Sequence, residues 1–221
     1  MSICIIPARG GSKRIPRKNV KPFNGTPIIE VTIKKLLDFN FFNHIFVSTE
    51  DDEIAEVAKA AGAAIIERPN KLADDFTTTR QVIAHGIKAI DATDFSHVYC
   101  VYPTSVFIAK DNIKQGAYPL MKQRFAMTVT EYRHPPQRGL HVLENGSVMP
   151  QYPELVEHRT QDLTPVYHDA AQFYAGTATK WLSGDPIISN TTHGIIIPRN
   201  QAIDIDNPED WELAEKLYAQ S

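Results

Sequence analysis

The run ARGGSKRIPRK, residues 8–18, gathers Arg9, Lys13, Arg14, Arg17 and Lys18 around Gly10, Gly11 and Ser12. Backbone N–H groups of a glycine-containing loop can surround phosphate oxygens, and cations beside them add charge-assisted hydrogen bonds. Arg9, Gly10, Gly11, Ser12, Lys13 and Lys18 are therefore suited to a triphosphate; a solvated basic surface loop is the alternative. The pattern is neither GxxxxGK[ST] nor GxGxxG, which weighs against a P-loop NTPase and a Rossmann dehydrogenase. What favours phosphate is the apolar run Ile3-Cys4-Ile5-Ile6 directly before it. It reads as a buried strand, and in open parallel sheets ligands bind beyond the carboxyl ends of the strands.

A second constellation is AIDIDNPEDW, residues 202–211. Asp204 and Asp206 are spaced i, i+2, so an extended chain points both carboxylates the same way. Two hard oxygen ligands suit Mg²⁺, which takes one or two carboxylates and completes its shell with phosphate and water. The alternative is that they merely lead into a last helix capped by Asn207 with Pro208 at its first position. Arg68, in ERPNKLADD, follows a short strand and suits a phosphate or a base. Asp74 and Asp75 read equally as a solvated approach to the next helix. Tyr102 and Pro103, in YPTS, end a strand and suit a base or sugar contact, or a simple turn. His134, His141, His158 and His168 lack the HxxxH spacing of metal ligands. No Ser-His-Asp or Cys-His arrangement stands out. Cys4 and Cys100 sit in apolar runs and read as core thiols.

These residues need a scaffold, and the periodicity supplies one. Strands are expected at 2–6, 44–49, 63–66, 97–102 and 125–132. Helices are expected from Pro27 to Phe39 with Thr26 as N-cap, then over 51–62, 79–90 and 110–122. Strand and helix alternate, which argues for an α/β fold with a mainly parallel sheet covered on both faces. The basic loop, the 67–79 loop and residues 102–109 then share one edge. Residues 133–172 break this rhythm and contain a hairpin signal, LHVLENGSVMP, turning at Asn145-Gly146. A strand and short helix follow, then a strand at 194–198 and a final helix.

The chain has 221 residues, 43% of them hydrophobic, enough for one α/β domain with an insertion. Its net charge of −3 weighs against nucleic acid as a partner. The N-terminal cations are thus a local feature, matched to a small anion. Two cysteines without a CxxC pair suit a reducing, cytoplasmic compartment. No run approaches the roughly 20 apolar residues of a membrane span, and residues 1–8 are too short for a signal peptide.

The segment IPARGGSKRIPRKNVKPFNGTPIIE resembles the N-terminal signature of the CMP-sugar synthetases, cytidylyltransferases that activate eight- and nine-carbon ulosonic acids. FVSTEDDEIAEVAKAAGA, ERPNKLADDFTTT, YPTSVFI and IDIDNPEDWELAE follow in that family's order, so the resemblance spans the whole chain, residues 1–221. EHRTQDLTPVYHDAAQFYAG looks most like the pseudaminic acid branch. Acylneuraminate enzymes usually carry an Asn-Gly version of this stretch and a Gln in place of Tyr102. The resemblance implies a single Rossmann-like nucleotide-diphospho-sugar transferase domain with an inserted dimerisation arm at about 133–172. It implies a homodimer, CTP and a nonulosonic acid as substrates, and Mg²⁺ on Asp204 and Asp206. CTP would lie over Ala8, Arg9, Gly10, Gly11, Ser12, Lys13, Lys18, Asn19, Arg68 and Thr79. The sugar acid would meet Tyr102, Pro103, Arg159, Gln161 and Tyr174, with Arg159 on its carboxylate. Arg9, Lys18 and Asp206 would carry catalysis, Lys18 at the α-phosphate. Legionaminic, neuraminic and deoxy-octulosonic acids are the neighbouring substrates, and a non-catalytic nucleotide-binding module is the distant alternative.

Overall fold

The computed structural model of the chain describes residues 1–92 and 96–220. Strand β1 spans Ser2–Pro7, and its Ile3 to Ile6 are buried on both faces. Such unbroken apolar burial is what a strand inside a parallel sheet requires. Two short strands, β2 (Pro22–Phe23) and β3 (Thr26–Pro27), pair with each other ahead of helix α1 (Ile28–Asp38). This corrects the expected start of α1. Thr26 is held in that ladder and Pro27 is extended at φ −49°, ψ 130°, so the helix opens at Ile28 without a side-chain cap. The chain continues through β4 (His44–Thr49), α2 (Asp52–Ala60), β5 (Ala64–Glu67), α3 (Thr79–Ala89), β6 (His97–Val101), α4 (Lys110–Leu120) and β7 (Ala126–Glu131). A small hairpin, β8 (Leu140–Val142) with β9 (Val148–Pro150), precedes β10 (Tyr167–Thr177), α5 (Ala178–Leu182), β11 (His193–Ile196) and α6 (Pro208–Tyr218).

The main sheet runs β11-β7-β10-β6-β1-β4-β5. Its pairs are parallel except where β10 lies antiparallel between β7 and β6. The irregular segment is therefore shorter than the sequence suggested: Tyr167 to Gln172 belong to β10, in the middle of the sheet. The Asn145-Gly146 turn is as expected, with Gly146 at φ +79°.

Helices cover both faces. Ile29, Ile33 and Leu36 of α1, Ile54 and Ala58 of α2, and Ile113 and Leu120 of α4 pack on one face. Ile83 and Ile87 of α3 and Trp181 of α5 pack on the other. A third, smaller cluster joins distant parts of the chain. Ile15 of the basic loop, Phe23, Ile28, Val106, Ile205, Trp211 and Ala214 are buried together, and Phe23 meets Trp211 edge-on with centroids 5.6 Å apart. This cluster holds α6 and the segment before it against the basic loop.

Helix α6 starts with a reciprocal capping box. Asn207 Oδ1 accepts from the Asp210 N–H at 3.0 Å, and Asp210 Oδ2 accepts from the Asn207 and Asp206 N–H groups, both at 3.0 Å. Replacing an Asn cap by Ala costs about 1 kcal/mol, which in a chain of this size lowers Tm by roughly 2–4 °C. A calorimetric scan of Asn207→Ala checks this; an unchanged Tm would show that packing of Trp211 alone sets the helix start.

Candidate active site

The site is built where β1 ends. After Pro7 the chain makes one sheet-like bond, Ala8 N–H to Ser48 O at 3.0 Å, and then turns away. Buried Asn19 reaches back to donate to Arg9 O at 2.9 Å, which pins the first cation of the loop. Glu50 accepts the Gly10 N–H at 2.8 Å. A Cβ on Gly10 would press on the Asp51 carboxylate, so a larger residue there would displace the Asp51 side chain that caps α2. Past Ser12 the chain coils through consecutive turns, with Arg17 in the left-handed region at φ 56°. Arg17 pairs with Asp51 at 2.5 Å and also with Glu53, and does not line the cleft described next.

Arg9, Ser12, Lys13, Arg14, Lys18 and Asn19 line a 380 Å³ cleft together with Tyr102, Pro103 and Thr104. A second cavity of 190 Å³ shares Arg9, Asp75 and Tyr102 with it and adds Arg68 and Thr79. A third, of 400 Å³, is more apolar: Tyr102, Tyr174, Pro186, Ile187 and Ile188 form it together with Thr79. Tyr102 thus stands where the three meet.

Cations and carboxylates are interleaved around the cleft. Asp75 pairs with Arg9 at 2.8 Å and with Lys13 at 2.5 Å, and bonds first to Lys13 and then to Arg9 hold its carboxyl below the usual range. Arg9 also donates to Asp74 O at 2.7 Å, so the 70–78 loop is tied to the basic loop. On the far side, Arg14 grips Asp206 with both guanidinium NH₂ groups, at 2.9 and 2.8 Å. Lys18 donates to Ile205 O at 2.7 Å and lies 3.6 Å from Asp206. Burial lowers the Lys18 pKa, with Asp206 and then Asp204 pulling it back up. Desolvation and then the like charge of Asp206 raise the Asp204 carboxyl. The residues between them alternate as expected: Ile205 is fully buried, and the two aspartates point out from it.

The residues named from the sequence divide accordingly. Arg9, Ser12, Lys13, Lys18, Asn19, Tyr102 and Pro103 share the first cleft, and Asp204 and Asp206 adjoin it through Lys18. Thr79 and Tyr174 lie beside Tyr102. Ala8 is buried, the Gly10 N–H is taken by Glu50, and Gly11 faces open space. Arg68 is only 6% exposed; it donates from Nε to Ser48 Oγ at 3.2 Å and from an NH₂ to Ser48 O at 2.5 Å, and burial lowers its pKa. It helps wall the second cavity rather than reaching out as a free cation. Arg159 is exposed and lines none of these three cavities, and Gln161 lines a separate 320 Å³ cleft with Arg133 and Arg199. The sequence assigns no role to Arg14 or Glu50, and reads Asp75 only as a solvated approach to a helix. Arg14 lay in plain view within the basic run, but nothing in its spacing foretold a carboxylate 192 residues away.

Comparison with known proteins points one way. A cytidylyltransferase family model matches residues 3–147. The pseudaminic acid cytidylyltransferase of Campylobacter jejuni is 38% identical over 98% of this chain and 96% of its own length. The CMP-N,N'-diacetyllegionaminic acid synthase of Legionella pneumophila is 29% identical over 97% of this chain and 95% of its own. Among solved structures, a CMP:2-keto-3-deoxy-manno-octonic acid synthetase complexed with CTP superposes with a TM-score of 0.73 at 16% identity, covering 99% of this chain and 98% of that one. At that identity the likeness speaks for the fold.

Proposed function

The chain belongs to the cytidylyltransferase family, and from that premise we propose that it transfers CMP from CTP to the anomeric hydroxyl of pseudaminic acid, releasing pyrophosphate. The observation that carries the sugar is the 38% identity, along nearly the full length, to a pseudaminic acid cytidylyltransferase, against 29% to a legionaminic acid synthase. The nucleotide half is supported by the interleaved cleft. A triphosphate brings the negative charge that Asp75 and Asp206 now supply to Arg9, Lys13, Arg14 and Lys18.

Transfer of a nucleotidyl group demands positioning and charge neutralisation more than covalent help from the protein. Arg9 and Lys13 neutralise the outer phosphates. Lys18, half-buried and held by Ile205 O, sits deeper and is assigned to the α-phosphate. Tyr102 and Pro103 line the same cleft as these cations, which supports a role in orienting the sugar against the nucleotide. Asp204 and Asp206 fit a Mg²⁺ ion: both are hard oxygen donors, and a divalent cation would offset both the desolvation that chiefly raises the Asp204 carboxyl and the like charge of Asp206 that adds to it. Among the described residues no group of three or more His, Cys, Asp or Glu is arranged for a metal, so substrate oxygens and water would complete its shell. Bound there, the ion would supply Lewis-acid charge stabilisation and acidify a coordinated hydroxyl.

Arg159 is exposed and lines none of the three cavities, and in this reading a second copy of the chain would bring it to the sugar carboxylate. The hairpin next to it supports pairing of two copies, since Leu140, Val142 and Val148 are 59%, 74% and 60% exposed. Light scattering of the purified protein tests the homodimer. Cytoplasmic residence belongs to the same proposal; both cysteines are free and buried, and among the described residues no helix is long and apolar enough to cross a membrane. The decisive assay is pyrophosphate release with CTP and Mg²⁺, run in parallel with pseudaminic, legionaminic, neuraminic and deoxy-octulosonic acids. Release with pseudaminic acid at a kcat/KM at least tenfold above the others is expected. Preference for another acid overturns the sugar, and silence with all four overturns catalysis.

A further inference from the structure

The apolar cavity beyond Tyr102 holds one charge. Of the residues that line its 400 Å³, Arg80 alone is charged; the rest are threonine, tyrosine, proline and isoleucine. Arg80 sits in the first turn of α3, which Thr78 and Gln81 close with a reciprocal capping box, so its backbone is fixed by a well-made helix start. Its guanidinium lies beside the turn at Gly184, where a Cβ would stand 3.9 Å from Nη1. That turn, with Gly184 at φ +88°, leads directly into Pro186, Ile187 and Ile188 of the cavity wall.

Arg80 differs from the cations of the basic cleft. Arg9 and Lys13 share Asp75, and Arg14 and Lys18 share Asp206. Among the described residues the Arg80 guanidinium makes no hydrogen bond or ion pair. The carboxylate whose charge it feels, Asp185, is taken by Lys180 at 2.5 Å. Helix stability does not account for Arg80 either. A cation in the first turn opposes the helix dipole, and no acidic residue accompanies it there. A half-buried guanidinium beside apolar walls, with its N–H fork unspent, is a receptor for an anion.

Position identifies the anion. The cavity shares Tyr102 with the basic cleft, so its occupant abuts whatever the cations there hold. Its walls are too apolar, and its single charge too small, for a triphosphate. One guanidinium matches one carboxylate, and planar pairing of the two fixes orientation as well as charge. Resting on the sugar acid reading above, we propose that Arg80 binds the carboxylate of the sugar acid from within the same chain that binds CTP. A carboxylate has room for more than one donor group, so an Arg159 brought by a second copy would add to this contact without replacing it.

The experiment compares wild type, Arg80→Met and Arg80→Lys with CTP, Mg²⁺ and either pseudaminic acid or its carboxamide, which keeps the sugar and removes the charge. Methionine keeps the helix propensity of the replaced side chain. In Arg80→Met the KM for the acid rises about 10–100-fold, the loss expected when a charge-assisted hydrogen bond is removed. CTP KM stays within about twofold and Tm within about 2 °C. The preference for acid over amide falls about tenfold or more, and Arg80→Lys, which restores the charge without the fork, recovers part of it. A merely structural Arg80 would not move that preference. An unchanged KM for the acid overturns the proposal, as does an equal rise for acid and amide, or an equal rise in CTP KM with a fall in Tm. Calorimetric titration with pseudaminic acid in the presence of CMP reads the same contact without turnover. Wild type that binds the acid more tightly than Arg80→Met does, yet turns over no acid, keeps the site and overturns the function. Turnover by wild type with equal binding by Arg80→Met keeps the function and overturns the site. Absence of both binding and turnover overturns both.

Discussion

Replacing Asp206 by Asn leaves a folded protein that releases pyrophosphate about 10²–10³-fold more slowly, the loss expected when one preorganised electrostatic group is removed from a reacting centre. The substitution keeps the side chain's size and leaves the Asp206 N–H bonded to Asp210, so α6 starts as before. It costs little stability, because the ion pairs it breaks are partly exposed: the Asp206 side chain is 36% accessible and Arg14 is 69% accessible. Pairs of that kind contribute about 0–1 kcal/mol. What it removes is the charge that pairs with Arg14 and Lys18 and, in the proposed assignment, half of a two-carboxylate site for Mg²⁺ with Asp204. Two measurements check it together: kcat at saturating CTP and sugar acid, and the Mg²⁺ concentration for half-maximal rate, which rises. Near-normal turnover with normal metal dependence would sink the assignment of Asp204 and Asp206 to the metal.

Lys18→Gln is expected to lower kcat by a similar factor of about 10²–10³, with a smaller change in CTP KM. Burial of Ile15 and Ile205 in one cluster ties the basic loop to the aspartate segment independently of Lys18, so the fold is kept. The charge is lost at a position only 20% accessible, where solvent cannot replace it. Lys13 provides the contrast. Its side chain is 79% accessible and Asp75 already neutralises it, so Lys13→Gln should raise CTP KM only a few-fold and leave kcat near wild type. Equal losses in the two variants would show that the loop acts as a diffuse basic patch, without a dedicated α-phosphate cation. Single-turnover rates at saturating CTP distinguish the two cases.

The sequence was most legible where chemistry follows from a short contiguous stretch. The strand Ile3 to Ile6 running into the cation-rich loop, the i, i+2 spacing of Asp204 and Asp206 around Ile205, and the Asn207-Pro208 helix start are each local patterns. Local patterns survive folding because backbone geometry alone imposes them. The alternation of strand and helix likewise required the parallel sheet, since parallel neighbours need a crossover. Thr26 shows where local reading stops: it has the chemistry of a helix cap, yet pairing of β2 with β3 claims it first.

What only the tertiary structure decided is which groups meet across the chain. Arg14 grips a carboxylate 192 residues on because Ile15 and Ile205 are buried in one cluster with Phe23 and Trp211. Arg68 turned inward to Ser48 because its own N–H continues the β4–β5 pairing onto Thr49 O, and a buried charged group must find partners. Arg159 and Gln161 stand apart from Tyr102 within one chain, and β10 takes back residues that composition had given to the arm. Sequence alone determined the chemistry on offer: a run of cations, a pair of carboxylates, and a sheet edge to display them. Packing determined the pairings, because a carboxylate's partner depends on distances through space, which no spacing along the chain encodes.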